Sequence, residues 1–332
     1  LAVTLLSSGV VFSQLLAEVS LSHTLKATSA EEKKLWVRAF NNLEDPETSS
    51  QPSKYTTNSE FVQNQVISYL SDFTLDNHFI LETATFFFEG STNLEQDESI
   101  RPRGKLQYLS SLDNSKNFRL TLGKWPKSSQ NYSDDTEVVI DALGSDLLDV
   151  TVGDKITIFP ATQTNATRTK VDIQIVGVFE RRTPNSDYWL GHDKDFSYKD
   201  QRWSVVPLFT TEQNITNKLP HAYERIYTNS TWVINLDAEK IKASKIKDLL
   251  EIIHNIKTRS INNIAHGTTS IKIDRILEQH QKELLVAQIP LLLMVFLVTG
   301  ILGYHLCLIS NLTIKSRSYE IAILKSRGGG NH

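Results

Sequence analysis

The chain has 332 residues, of which 40% are hydrophobic and 22% charged, a balance typical of globular proteins and not of disordered stalks. Its formal net charge of −3 offers no basic surface for nucleic acid, so no nucleic-acid partner is expected. Its single cysteine, Cys307, excludes a disulfide within the chain.

The N-terminal stretch is apolar. Residues 1–16 carry no charge, and Glu18 closes the run. A helix of this length reaches about 24 Å, less than a bilayer core of about 30 Å. With no initiator methionine and no basic leader, a signal peptide is disfavoured. We therefore expect residues 1–20 to be the outer end of a first transmembrane helix whose beginning precedes this sequence.

Residues 21–283 are predicted to form an extracytoplasmic α+β domain, as one body or as two subdomains, because short strands alternate with a few helices. The pattern of β-branched and aromatic residues predicts strands at 79–88, 105–110, 137–141, 155–159, 171–179, 203–209 and 230–236. Gly177 interrupts one of these strands, and a bulge or a close approach of another backbone is the usual cause.

Two amphipathic helices are predicted within this domain. Apolar residues recur at helical spacing over 61–73, with Asn58 and Ser59 as candidates for the N-terminal cap. The same spacing over 241–256 predicts a second helix, capped by Asp237.

An uncharged apolar run occupies residues 284–309. About 26 residues rise about 39 Å as a helix, enough to cross a bilayer with some tilt. Basic residues follow the run and place that end in the cytoplasm: Lys315, Arg317, Lys325 and Arg327. We therefore predict a second transmembrane helix at 284–312, the start of a cytoplasmic coupling segment at 313–332, and an unbroken helix from about Ile271 into the membrane.

Gly300 and Gly303 leave one side of the predicted span without side chains. Small residues let two membrane helices approach closely. We therefore predict that these glycines pack against another membrane helix.

The sequence carries no catalytic signature. A phosphate-binding loop requires a glycine-rich string that ends in Gly-Lys-Ser or Gly-Lys-Thr, and none is present. The histidines show no metal-ligand spacing, and no Gly-x-Ser-x-Gly elbow occurs. The acidic clusters at 134–135 and 141–149 are interpreted as turns and solvated faces. We therefore predict no catalytic residue, metal site or cofactor in this chain.

Several short strings occur in an order that resembles a known family. They are TLGKWP at 121–126, EVVI at 137–140, LLDVTVGDKITI at 147–158, IVGVF at 175–179 and, after the second span, RSYEIAILKSRG at 317–328. This succession resembles the outer domain and first cytoplasmic segment of FtsX-like and MacB-type ABC transporter permeases. The likeness extends over residues 120–328 and fits the N-terminal apolar run as the first span.

The resemblance implies a multi-pass permease of the bacterial plasma (inner) membrane, in contact with membrane lipid. It implies three protein partners: a cytoplasmic ABC ATPase, a second permease copy or paralogue, and an extracytoplasmic protein. The outer domain of such permeases transmits ATP-driven motion instead of lining a pore. By this likeness Arg317, Glu320, Lys325 and Arg327 are candidate ATPase-coupling residues, and the ATPase activity belongs to the partner.

Two alternatives remain open from the sequence. One is a membrane-anchored sensor whose outer domain binds a ligand and whose second span signals inward. The other is a membrane-anchored hydrolase, which requires a catalytic constellation that the sequence does not show.

Overall fold

The computed structural model describes residues 2–44, 53–89, 102–110, 112, 117–128, 132, 134–161, 169–182, 195–199, 203–223, 225–264 and 267–326. The chain divides into two units: Lys26–Asp274 is one, and Leu1–Leu25 with Arg275–His332 is the other. The first unit combines helices with one large mixed sheet, so the predicted α+β class is confirmed.

Two long helices make up the described part of the second unit. Helix α1 spans Ala2–Ala27, and helix α7 spans Ile273–Ser326 and includes the last two residues of the first unit. The 54 residues of α7 rise about 81 Å. The helix continues through Pro290, which removes one backbone hydrogen-bond donor from it. The predicted unbroken helix from the end of the first unit into the apolar stretch is therefore confirmed.

Twelve strands form one sheet in the described part of the first unit. They are β1 Lys34–Glu44, β2 Thr74–Thr83, β3 Phe86–Glu89, β4 Arg103–Leu109, β5 Phe118–Gly123, β6 Thr136–Asp141, β7 Lys155–Pro160, β8 Val171–Arg181, β9 Tyr198–Lys199, β10 Ser204–Phe209, β11 Arg225–Leu236 and β12 Gly267–Ile271. Each predicted strand corresponds to an observed one, except that 79–88 is divided between β2 and β3. Strands β5, β9 and β12 were not expected from the sequence.

Part of the sheet closes into a six-stranded barrel. The strands follow one another in the order β4, β3, β7, β8, β6 and β10, and β10 then pairs with β4 in parallel. Strands β2, β11, β1 and β12 continue from β4 as an open antiparallel sheet, while β5 pairs with β8 and β9 pairs with β10. Closure removes sheet edges from the barrel, whereas the open part keeps one face that the barrel core does not cover.

Alternate residues of the barrel strands point inward and fill it. Among the inward residues, Phe88 lies over Gly104, where an added Cβ would stand only 2.1 Å from the Phe88 ring. Inward side chains are almost fully buried: Phe86, Phe88, Leu106, Val138, Ile140, Ile156, Ile158, Ile173, Ile175, Val206 and Leu208. This alternation is the physical source of the period-two pattern in the sequence.

Gly177 changes the phase of strand β8, as predicted. The register between β6 and β8 shifts there, with Val138 opposite Ile175 and Val139 opposite Gly177. Ile175 therefore points into the barrel and Phe179 points outward, into a second aromatic cluster. A Cβ on Gly177 would lie 2.5 Å from the Lys124 carbonyl oxygen, so the close backbone approach is also confirmed.

Shorter helices complete the first unit: α2 Lys54–Phe61, α3 Ser68–Leu70, α4 Ala142–Leu148, α5 Leu219–Tyr223 and α6 Ile246–Asn263, with π-helical turns at Val62–Ile67 and Asn214–Lys218. The predicted cap at Asn58 or Ser59 is wrong, because both residues lie inside α2. Ser53 caps α2, because its extended backbone lets its Oγ accept the Thr56 N–H at 3.2 Å. Asn58 lies buried inside the helix and donates to Asn41 Oδ1 at 2.8 Å.

The predicted cap at Asp237 is also wrong. Its carboxylate accepts the N–H of Glu239 at 2.9 Å and closes a local turn. A 3₁₀ turn at Ala243–Lys245 follows, and α6 begins only at Ile246 with no side-chain cap. A turn closed by an aspartate side chain competes with its use as a helix cap.

Candidate functional site

Helix α7 is the first candidate functional element. Across its apolar stretch the large side chains are exposed, including Phe296 at 78% and Leu297 at 64%. An 18-residue stretch has a mean hydropathy of 2.5, and none of it is buried within the protein. In the described part of the chain this is the one helix long and apolar enough to cross a membrane, by length and composition.

The start of α7 is anchored in the first unit. Strand β12 ends at Ile271, and the helix begins at Ile273, whose side chain is only 1% exposed. Asp274 in the first turn forms an ion pair with Lys257 of α6. A single residue, Lys272, therefore separates the sheet from the helix.

The structure leaves the predicted helix-packing glycines open. An added Cβ at Gly300 or at Gly303 would meet no atom within 4 Å. A partner helix at this position stays a prediction.

The predicted coupling residues occupy the C-terminal end of α7. Arg317 and Glu320 are exposed on the helix, three residues apart, and no ion pair joins them in the described structure. Lys325 belongs to the helix, but its side chain lies outside the described atoms, and Arg327 lies outside the described residues. The structure thus brings two of the four together on one exposed segment, and their coupling role stays a prediction.

The strings within the first unit that carry the family resemblance meet at one corner of the barrel. Gly123 of β5 pairs with Gly177 of β8, and the Gly153 N–H donates to the Ile175 carbonyl at 2.8 Å. Gly123 and Gly153 have φ angles of 79° and 104°, which favour glycine. These residues fix turns and close approaches, so the motifs help to specify the fold.

Glu137 holds the same corner together. Its carboxylate accepts the Lys124 ammonium at 2.6 Å and the Lys127 N–H at 2.9 Å. Burial alone would raise the pKa of this carboxyl, but the two hydrogen bonds and the lysine charges lower it below its usual value. Glu137 is therefore a structural anion.

Asp141 corrects the interpretation of 141–149 as turns and solvated faces. Its side chain is 8% exposed, caps helix α4, and accepts the Gly144 N–H at 3.2 Å. It also accepts the N–H and the hydroxyl of Ser197, the former at 3.1 Å. Burial raises the pKa of the Asp141 carboxyl, and these hydrogen bonds oppose the rise. The aspartate is a buried polar anchor, because it binds a helix start and a distant segment at the same time.

The open sheet carries the second candidate site, a shallow groove across β12, β1, β11 and β2. Its larger part has a volume of about 380 Å³. A smaller part of about 230 Å³ adjoins it and shares Trp36, Arg38 and Thr268. Strand β1 also contributes Ala39 and Phe40 to the larger part, and three further segments contribute Ile80, Glu82, Asp195, Asn229 and Thr231.

Strand β1 places the central groups of this groove. Trp36, Arg38 and Phe40 alternate along it and share one face. The Arg38 guanidinium lies 5.2 Å from the centre of the Trp36 ring, and Phe40 stacks with Tyr227 at 5.6 Å. Phe40 and Tyr227 are 46% and 48% exposed. The sequence analysis missed this site, although the alternation of Trp36, Arg38 and Phe40 was its visible signal.

Acidic side chains form the far side of the groove. Glu82 of β2 forms an ion pair with Lys105 and accepts the Asn229 amide at 3.4 Å. Among the described residues, no three His, Cys, Asp or Glu side chains are grouped as metal ligands. The groove is thus a mixed surface of aromatic rings, a guanidinium, an amide and carboxylates.

No family model matches this sequence, and no curated protein matches it. Among solved structures, the chain is similar to a domain of a proposed permease protein from Porphyromonas gingivalis. The similarity covers 72% of this chain and 89% of that chain, with 13% identity and a TM-score of 0.29. A TM-score this low assigns neither a shared fold nor a shared function.

Proposed function

We propose that this chain is part of a permease subunit of an ABC transporter, of the FtsX-like or MacB type. In this proposal α7 crosses the plasma membrane and the Lys26–Asp274 unit lies outside the cytoplasm. A partner ATPase hydrolyses ATP, while this chain supplies no catalytic residue and binds no cofactor. Its role is to carry the ATPase motion to the outer domain.

The unbroken course of α7 is the observation that supports this role. The helix leaves the sheet after Lys272, runs through the exposed apolar stretch and reaches Arg317 and Glu320 without a break. Its first turn is tied down by burial of Ile273 and by the Lys257–Asp274 ion pair. Because backbone hydrogen bonds make a helix stiff along its axis, displacement of one end reaches the other.

The exposed groups of α7 match the proposed partners. The apolar side chains face lipid, and the open side at Gly300 and Gly303 accepts a helix from a second copy or a paralogue. Arg317 and Glu320 present charges of both signs to an ATPase surface. An extracytoplasmic protein then receives the motion from the outer domain.

The experiment is affinity capture of the full-length protein from its native membrane, with mass spectrometry of the proteins recovered. We expect an ABC ATPase among them. Glu320→Lys reverses a charge at the proposed contact and should lower ATPase recovery about tenfold, which corresponds to about 1.4 kcal/mol. The matched control is Glu278→Lys, an exposed glutamate on the same helix near its N-terminal end, which should leave recovery unchanged.

Failure of the capture would have a definite meaning. If no ATPase is recovered from native membranes, the permease proposal is overturned. Recovery of a signalling protein in its place would support the sensor. An equal loss with both glutamate variants would show that Glu320 has no specific role in the contact.

A further inference from the structure

The groove on the open sheet offers side chains only. The backbone groups of β1 and β11 are used in ladders on both sides: β1 pairs with β11 and β12, and β11 pairs with β1 and β2. An extended peptide therefore finds no strand edge to extend on the floor of this groove. Whatever binds there is held by ring faces, a guanidinium, an amide, hydroxyls and carboxylates.

Arg38 is positioned to receive an anion. Its guanidinium carbon lies over the Trp36 ring, 5.2 Å from the ring centre, and in the described structure it forms no ion pair. A guanidinium carries its N–H groups in one plane, so it can bind a carboxylate with two parallel hydrogen bonds. Contact with the ring restrains the long side chain, so less entropy is lost when a ligand binds.

Phe40 supplies an apolar platform beside this cation. It lies two residues from Arg38 on the same face of the strand, about 7 Å along it. Its ring is 46% exposed and is supported by the stacked Tyr227. A pyranose ring has C–H groups on its flat faces, so it can cover such an aromatic surface while its hydroxyls stay at the rim.

Donors and acceptors are mixed around these two groups. Asn229 and the hydroxyls of Thr231 and Thr268 line the groove together with this cation, and so do the carboxylates of Glu82 and Asp195. A simple organic acid can bind only to the Arg38 guanidinium. A ligand with many hydroxyl groups can bind to both the donors and the acceptors, because each hydroxyl donates one hydrogen bond and accepts others.

We propose that this groove binds an acidic oligosaccharide, with a sugar carboxylate on Arg38 and a neighbouring sugar ring on Phe40. The volume of about 380 Å³ is within the range of ligand sites of a few sugar units. The exposed cation selects the acidic sugar, and the aromatic ring and polar rim select the sugar over other anions. The site depends on the groove alone and not on the proposed transport function.

The test is isothermal titration calorimetry of the full chain in detergent micelles with tetragalacturonic acid. The matched ligand is a neutral galactose tetramer, and sodium acetate serves as the simple anion. We expect the acidic tetramer to bind at least tenfold more tightly than the neutral one, and acetate not to compete at equal concentration. Arg38→Gln should remove the difference between the two tetramers, and Phe40→Ala should weaken both.

Controls separate binding from folding. Arg119→Gln changes another exposed arginine, on β5 and outside the groove, and should leave both affinities unchanged. The thermal midpoint of each variant should stay within a few degrees of the unsubstituted protein, because the altered side chains are exposed. Equal affinity for both tetramers, competition by acetate, equal loss with Arg119→Gln, or no binding by either tetramer would each overturn the proposal.

Discussion

The two units of this chain differ in the burial of their large apolar side chains. In the Lys26–Asp274 unit, long apolar side chains such as Phe88 and Phe179 are at most 1% exposed. In α7, side chains of the same chemistry remain open, with Phe296 at 78%. The first unit thus supplies its own apolar environment, whereas the helix requires one from outside. The apolar stretch of α7 has both the composition and the lack of burial that are expected of a helix in contact with lipid.

The largest effect is expected from placing an arginine in the predicted membrane span, compared with an arginine at an apolar residue exposed on the first unit. Leu297→Arg should disfavour membrane insertion of α7 by about 3 kcal/mol, because arginine is costly at the centre of a span. A glycosylation-mapping insertion assay measures it. Ile261 of α6 is 81% exposed in the folded unit, so Ile261→Arg should have no effect on insertion or on stability. Equal tolerance of both arginines would remove the distinction between the units.

The second largest effect is expected when the buried Asp141 carboxylate is removed. Asp141→Ala leaves three hydrogen-bond donors of Gly144 and Ser197 without their acceptor. We expect the free energy of unfolding to fall by about 2–4 kcal/mol, measured from thermal or denaturant unfolding in detergent. The control Asp146→Ala removes an exposed aspartate from the same helix and should cost less than about 0.5 kcal/mol. Similar losses from both would mean that the buried network contributes nothing.

A smaller effect is expected from a side chain added at Gly177, where two backbone segments approach closely. Gly177→Ala introduces a Cβ 2.5 Å from the Lys124 carbonyl oxygen, and the strands must separate slightly. The free energy of unfolding should fall by about 1–3 kcal/mol. Gly300→Ala meets no neighbouring atom within 4 Å and should leave unfolding unchanged or slightly more difficult. The reverse order of the two substitutions would contradict the assignment of crowded and open regions.

The smallest effect should depend on pH. The pKa of Glu137 is lowered in the folded chain, so its ion pair stabilises the fold above the ordinary carboxyl pKa and is lost as the pH falls through the folded value. Glu137→Gln should cost about 1 kcal/mol at pH 7 and progressively less below about pH 4.5, the ordinary value. Thermal midpoints across this pH range measure it. Glu180→Gln, which loses an exposed pair with Arg119, should show no such dependence.

Much of the strand content could be predicted because alternation reports directly which face is buried. The barrel strands β6, β7 and β8 have inward residues at period two, and Gly177 marks the one shift of phase. The apolar span of α7 could also be predicted, because an uncharged apolar run of that length is typical of a transmembrane helix.

What the sequence could not provide depends on contacts distant along the chain. The cap of α2 is Ser53 and not Asn58. Asn58 lies inside the helix, and its side chain donates a hydrogen bond to Asn41 of strand β1. Asp141 resembles an acidic turn until Ser197 is brought against it. The groove requires four strands from both ends of the domain, so the pattern of Trp36, Arg38 and Phe40 alone does not show that their face stays open.

The pairing of β1 with β12 has a consequence for synthesis of the chain. Leu35 near the start of the domain lies opposite Ile271 at its end. At ordinary translation rates, β12 leaves the ribosome on the order of tens of seconds after β1. Until then one edge of β1 has no partner, and an unpaired edge invites pairing with other chains. Completion of this domain therefore has to wait for its last strand, and a chaperone that shields β1 during that interval would raise the yield of folded protein.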